Sequence, residues 1–167
     1  MAERNLPEWM GKNRGMTPEE LAEFLAGPVV ARIATVDDQG FPYITPVWQE
    51  WRDGAMYIIP REKTTFVKHL KVNPKVAISV ALDTGTYTRM LMRGTAEILF
   101  GPARMEGLVL EIGERMSLRY LGPHGPEYLA ASIDRPRYLI RVAPSPDHKL
   151  ITWDGVEWAE KYLNEPK

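Results

Sequence analysis

Between residues 29 and 59 the chain carries three β-rich runs joined by turns too short for anything but hairpins, and this narrows its possible folds most. Residues 29–36 are β-branched and short, Asp37-Asp38-Gln39-Gly40 turns the chain, and residues 41–50 continue as a second strand. Asp53-Gly54, a pair suited to a two-residue turn, then leads into a third strand over 55–59. Strands joined this closely pair antiparallel. Pro42 and Pro46 cannot donate to a ladder, so the second strand is expected to be irregular or to lie at an edge, with main-chain groups near it free for a ligand.

The remaining chain extends this pattern. Thr17-Pro18-Glu19-Glu20 supplies an N-cap, a first-turn proline and a capping-box glutamate for a short helix that stops at Gly27-Pro28. A second helix, with Phe66, Val67 and Leu70 on one face, ends at Asn73-Pro74. Residues 75–82 read as a fourth strand, 83–86 as a turn, and 87–100 as a long strand with a bulge or bend at Gly94. The period then changes: Met105, Leu108, Val109, Ile112 and Met116 fall on one helical face, predicting a helix from Pro102 to about Leu121 whose methionines and leucines are core. A loop over 122–126, a helical turn over 127–132 and strands at 137–142 and 149–153 follow. Asp154-Gly155 turns toward Trp158. The sum is a mainly β chain, a small antiparallel barrel of six to seven strands with flanking helices. A barrel this small is filled by its own side chains, so a ligand must sit at a rim or between subunits.

At 167 residues one domain is expected, over 17–160, with a polar arm before it (1–16) and a polar tail after it (161–167). A net charge of −1 gives no basic field for nucleic acid, and no apolar run reaches the roughly 20 residues of a membrane span. With no cysteine, thiol chemistry is excluded and a cytoplasmic location is the default. His69, His124 and His148 lack metal-ligand spacing, and phosphate-loop, nucleophile-elbow and dinucleotide fingerprints are missing. A small-molecule partner is therefore expected.

Chemistry is suggested where the third strand runs through Pro60 into the second helix. Arg61, Lys63 and Lys68, with the hydroxyls of Thr64 and Thr65, crowd a helix start whose dipole favours acids, and only Glu62 offsets them. The segment is either a solvated face or a phosphate site, in which backbone donors, hydroxyls and cations would all converge on one anion.

The order Asp37-x-x-Gly40-x-Pro42, then Thr45-Pro46-Val47-Trp48, then Arg61-x-Lys63-Thr64 followed by Lys68-His69-Leu70-x-x-Asn73-Pro74-x-Val76, resembles the flavin-binding split barrels of the pyridoxamine 5′-phosphate oxidase-like superfamily. Ile151-Thr152-Trp153-Asp154 and Trp158 are similar to the last strand of its small single-domain members, so the likeness spans about residues 20–160. It implies a split barrel, a homodimer, and two flavin sites in the groove between its chains. By that resemblance the phosphate falls to Arg61, Lys63, Thr64, Thr65 and Lys68, and the ring lies along Thr45, Pro46, Val47 and Trp48 and along Ile58, Ile59 and Pro60. Trp48 is equally readable as core. Many members carry a second basic residue just inside the helix, where this chain has Thr65 or Phe66, so FMN and the deazaflavin coenzyme both remain open. The resemblance implies an oxidoreductase moving hydride to or from a small organic substrate; the alternative is a non-catalytic flavin or haem storage protein. The segment that recognises pyridoxamine phosphate has no match, and no essential acid or base is implied. Arg32, Arg89, Arg93 and Lys68 are candidate donors to a reduced ring.

Overall fold

Thr17 caps helix α1 (Pro18–Ala26) reciprocally: its hydroxyl accepts from the Glu20 amide at 3.2 Å, while the Glu20 carboxylate accepts from the Thr17 amide at 2.8 Å. The structure is a computed structural model that describes residues 15–82, 88–148 and 150–153. The expected turn at 83–86, Trp158 and the tail, and all but the last two residues of the expected arm, lie outside the described residues.

Among the described residues eight strands follow α1: β1 (Ala31–Val36), β2 (Pro42–Val47), β3 (Glu50–Arg52), β4 (Ala55–Ile58), β5 (Lys75–Ala81), β6 (Arg89–Ala103), β7 (Arg137–Pro144) and β8 (Ile151–Trp153). Three more helices, α2 (Thr65–Val72), α3 (Gly107–Leu121) and α4 (Gly125–Ala130), interrupt them. The strands make one antiparallel sheet in the order β2-β1-β5-β6-β7-β4-β3, with β8 beside β6. β2 and β3 therefore stand at opposite ends of the sheet, yet only Trp48 and Gln49 separate them in sequence. Such a link reaches only about 10 Å. The sheet must curl until its two ends nearly meet, and the result is a mainly β split barrel.

The split corrects the expectation of one continuous strand over 41–50. At Gln49, which is buried, side chains replace the ladder: Gln49 Nε2 donates to the Leu25 carbonyl at 2.8 Å, and Arg119 Nη1 donates to the Gln49 carbonyl at 2.8 Å. β2 lies at the sheet edge, as its prolines require. The β3–β4 hairpin turns through Asp53 and Gly54, both at positive φ (52° and 71°), the backbone of a tight two-residue turn.

Gly94 is not a bulge. It pairs in register with Val76 and with Pro144, and a Cβ there would lie 2.4 Å from the Ala143 carbonyl oxygen and 2.9 Å from Val142 Cγ1. Glycine lets β6 and β7 approach where the sheet curls. The register shifts come later, between Ile98 and Phe100 and between Phe100 and Ala103, with Gly101 at φ 94°. Because Ala103 still pairs with Arg137, β6 outruns its expected end, and α3 begins at Gly107 rather than Pro102. Gly94→Ala should cost about 1–3 kcal/mol of unfolding free energy, because both nearest groups belong to packed strands. Unchanged stability in denaturant titration would contradict the close approach.

Two apolar cores result. One fills the barrel, with Ile33, Met56, Ile58, Phe66, Ile78, Met90 and Ile140 among its members. The other lies between the outer face of β4 and β7 and the helices α3 and α4, and contains Tyr57, Met105, Val109, Ile112, Met116 and Leu139. All four residues of β4 are buried because both of its faces are covered. Of the face expected to be core, Val109, Ile112 and Met116 on α3 are buried, as is Met105 just before the helix, but Leu108 is exposed, and so is Leu118 near the helix end, so not all of its leucines are core.

Candidate functional site

The split opens into a cleft of about 240 Å³. One wall is the free end of the sheet, Thr45, Pro46, Val47 and Trp48. The floor is Ile58, Ile59, Pro60 and Arg61, where β4 runs out toward α2, and Thr64 stands at that helix's start. Met105, just before α3, and the helices α3 and α4, with Met116, Tyr128 and Leu129, close the far side. The two stretches expected to flank a ring therefore face one space.

The cationic turn divides. Arg61 and Thr64 line the cleft, but Lys63, Thr65 and Lys68 do not and are exposed. The helix dictates this: Phe66, Val67 and Leu70 turn into the core, which leaves Thr65 and Lys68 on the opposite face. Thr64 is the N-cap residue of α2, yet its side chain makes no capping hydrogen bond, and the first turn contains no acid. Arg32 and Arg93 line a groove on the outer face of the sheet, and Arg89 lies 5.4 Å over the Trp153 ring. None of the candidate ring donors named from sequence lines the cleft.

Arg137, which was not among them, does line it. It opens β7, bridges Arg61 across the strands and is only 8% exposed. Its Nη2 donates to Ser132 Oγ at 3.1 Å, while its Nε, buried, has no partner. Neither Arg61 nor Arg137 is ion-paired to a carboxylate among the described residues. Tyr128 sits between them. Burial alone would push its phenol up, but hydrogen bonds from Arg137 and Arg61, with their positive charges, outweigh burial and leave it below the usual tyrosine value. Sequence reasoning missed both residues, since Arg137 meets Arg61 only through a bridge between distant segments and Tyr128 lies in a helical turn without a pattern.

Trp48 is half-buried and belongs to the cleft wall. Its ring stacks on Tyr120 at 5.0 Å and 4°, and Tyr128 leans on it at 5.6 Å and 58°. Tyr120 donates to the Val29 carbonyl at 2.8 Å, and burial raises its pKa. Stack and hydrogen bond together fix one orientation of the indole. Elsewhere, His69 Nδ1 lies 2.9 Å from Thr35 Oγ1, and no group of His, Asp and Glu among the described residues could hold a metal.

A family model described as pyridoxamine 5′-phosphate oxidase matches residues 17–145. Among solved structures, an F420 reductase is 26% identical, covering 77% of this chain and 96% of its own, with a TM-score of 0.58. A conserved hypothetical protein from Mycobacterium tuberculosis is 22% identical over 93% of this chain and 92% of its own, at 0.65. The haem storage protein HutZ from Vibrio cholerae is 21% identical over 84% and 97%, at 0.61. The last two likenesses speak for the fold alone. No curated protein matches the chain.

Proposed function

Since this chain belongs to the pyridoxamine 5′-phosphate oxidase family, we propose that its cleft holds a flavin, FMN first and the deazaflavin coenzyme as the alternative, and that the protein is an oxidoreductase acting on a small organic molecule. The observation that carries the reading is one of convergence. An aromatic and apolar slot, bounded by Trp48, Val47 and Ile58, meets two guanidinium groups and an uncapped helix start in a single cleft. A flat heterocycle with an anionic tail matches that composition, and the unpartnered Arg137 Nε is a buried donor awaiting an acceptor.

When bound, the ring itself supplies the hydride chemistry. The chain's residues position and enclose it. Arg61 and the start of α2 hold the tail, with Lys63, Thr65 and Lys68 on the rim. Thr45, Pro46 and Val47, on the free edge of β2, would offer main-chain groups to a bound ring, and Met105, Met116 and Leu129 would exclude water from it. Nothing in this arrangement requires a side chain to act as acid or base. Storage of haem is the weaker reading, because no histidine lines the cleft to serve as the usual proximal ligand.

A second copy of the chain completes the site in this reading. The cleft of one chain is smaller than the roughly 300–1,000 Å³ usual for small-molecule sites. The outer face of the sheet exposes Ile44, Leu91 and Ile151, an apolar patch fit for a self-complementary interface. Light scattering should give a dimer, and the bound ring should be reduced by a nicotinamide donor or reduced deazaflavin and reoxidised by a quinone-like acceptor. A monomer would leave the groove half built, and a bound ring that never turns over would make the protein a carrier.

A further inference from the structure

Two cavities of this molecule share a wall. Ser117 of α3 and Leu129 of α4, both buried, line the cleft on one side and, on the other, an outer groove of about 440 Å³ between the two helices. Gly125 lets the helices touch, since a Cβ there would lie 2.5 Å from the Ser117 carbonyl oxygen. Beyond that contact Leu110, Leu118, Pro126, Ala130 and Ile133 form the groove. Leu118 is 58% exposed, a large aliphatic side chain left in water among apolar neighbours, as at a ligand groove.

The groove offers little to a polar ligand. The Ser117 hydroxyl in the shared wall donates to the Glu114 carbonyl at 3.0 Å, and Arg115 at the rim is paired with Glu50. Glu114, the other charged residue of the lining, disfavours an anion. Hydrocarbon fits this surface best, and one leucine side chain beside one small residue separates it from the cleft.

We infer that the groove between α3 and α4 takes a hydrocarbon chain carried by the substrate, whose flat conjugated head lies in the cleft, and that the chain passes over Ser117 where Leu129 swings aside. This rests on the oxidoreductase reading above and deepens it by naming the substrate class, a quinone-like acceptor with an alkyl substituent. Hydride from the reduced ring and a proton from water convert such a quinone to its hydroquinone, and the alkyl chain takes no part in that step. It contributes affinity, each methylene removed from water being worth up to about fourfold.

The test titrates naphthoquinones with and without a decyl chain into the full-length protein by calorimetry, with its flavin or deazaflavin oxidised, so that binding is read without turnover. The decyl compound should bind at least about thirtyfold more tightly. Ala130→Trp, which fills the groove from an exposed position outside the cleft, should erase most of that gain and leave the unsubstituted compound within about twofold. Leu118→Glu, also exposed and outside the cleft, should do the same. An affinity indifferent to the decyl chain, or a gain that survives both substitutions in folded protein, would overturn the inference. A change of oligomeric state in Ala130→Trp would also overturn it, and the groove would then belong to a second copy. If neither cofactor binds, the same titration of the bare protein separates the two readings. A gain lost on both substitutions would keep the groove and remove only the flavin reading, and no gain at all would remove both.

Discussion

Arg61→Ala combined with Lys63→Ala is expected to weaken FMN binding by more than tenfold while leaving the protein's unfolding transition in place. Both side chains are exposed, and neither is ion-paired to a carboxylate among the described residues, so the fold loses little. Arg61 lines the cleft beside Arg137, and one charge-assisted hydrogen bond to phosphate is worth roughly 1.5–3 kcal/mol, at about 1.4 kcal/mol for each tenfold in affinity. Most of the effect should come from Arg61. Isothermal titration against FMN, with a thermal melt as control, measures it. Unchanged affinity in a folded variant would move the anion site away from this turn.

The second large effect concerns stability. Glu50 opens β3 with its carboxylate 1% exposed, and it is held by two arginines of α3: Arg115 Nη2 at 2.6 Å, and Arg119 Nη2 in a closer contact. Arg119 also donates to the Gln49 carbonyl, so the network ties α3 to the two-residue link that forms the split. Glu50→Ala would leave Arg119, whose side chain is only 13% exposed, charged and without its counterion. Breaking a buried pair from one side costs about 3–5 kcal/mol. Because Arg115 is largely exposed, the lower part of that range, about 3 kcal/mol, is expected in urea unfolding. A loss near the value of an exposed ion pair, below about 1 kcal/mol, would show that the network does not anchor the helix.

Local signals in the sequence were read well because the physics there is local. The capping box at Thr17 and Glu20, the positive-φ turn at Asp53-Gly54 and the edge position of the Pro42/Pro46 strand each follow from a few adjacent residues. What failed was anything decided across the sheet. Nothing near Gln49 announces that its carbonyl will be taken by Arg119, and so the break that makes the split was read as one strand. Of the two readings of Gly94, bulge or bend, the in-register pairing removes the bulge, and the approach of Ala143 that requires glycine is a property of a strand some fifty residues later.

The site divides in the same way. Nine of the twelve residues expected around a cofactor line one cleft: Thr45, Pro46, Val47, Trp48, Ile58, Ile59, Pro60, Arg61 and Thr64. Those outside it, Lys63, Thr65 and Lys68, were grouped with Arg61 by nearness in sequence, which a helix start does not respect. Arg137 and Tyr128 arrive from segments far along the chain, one on the strand beside β4 and one on α4, and charge spacing along the chain carries no trace of them.

The flavin reading is most directly exposed by titrating the purified protein with FMN and then with the deazaflavin, following ring fluorescence and absorbance. Saturable binding of one cofactor at one site per chain is the predicted result, and it also decides between the two. A well-folded dimer that binds neither would contradict the reading, and the cationic turn would then be a solvated helix start.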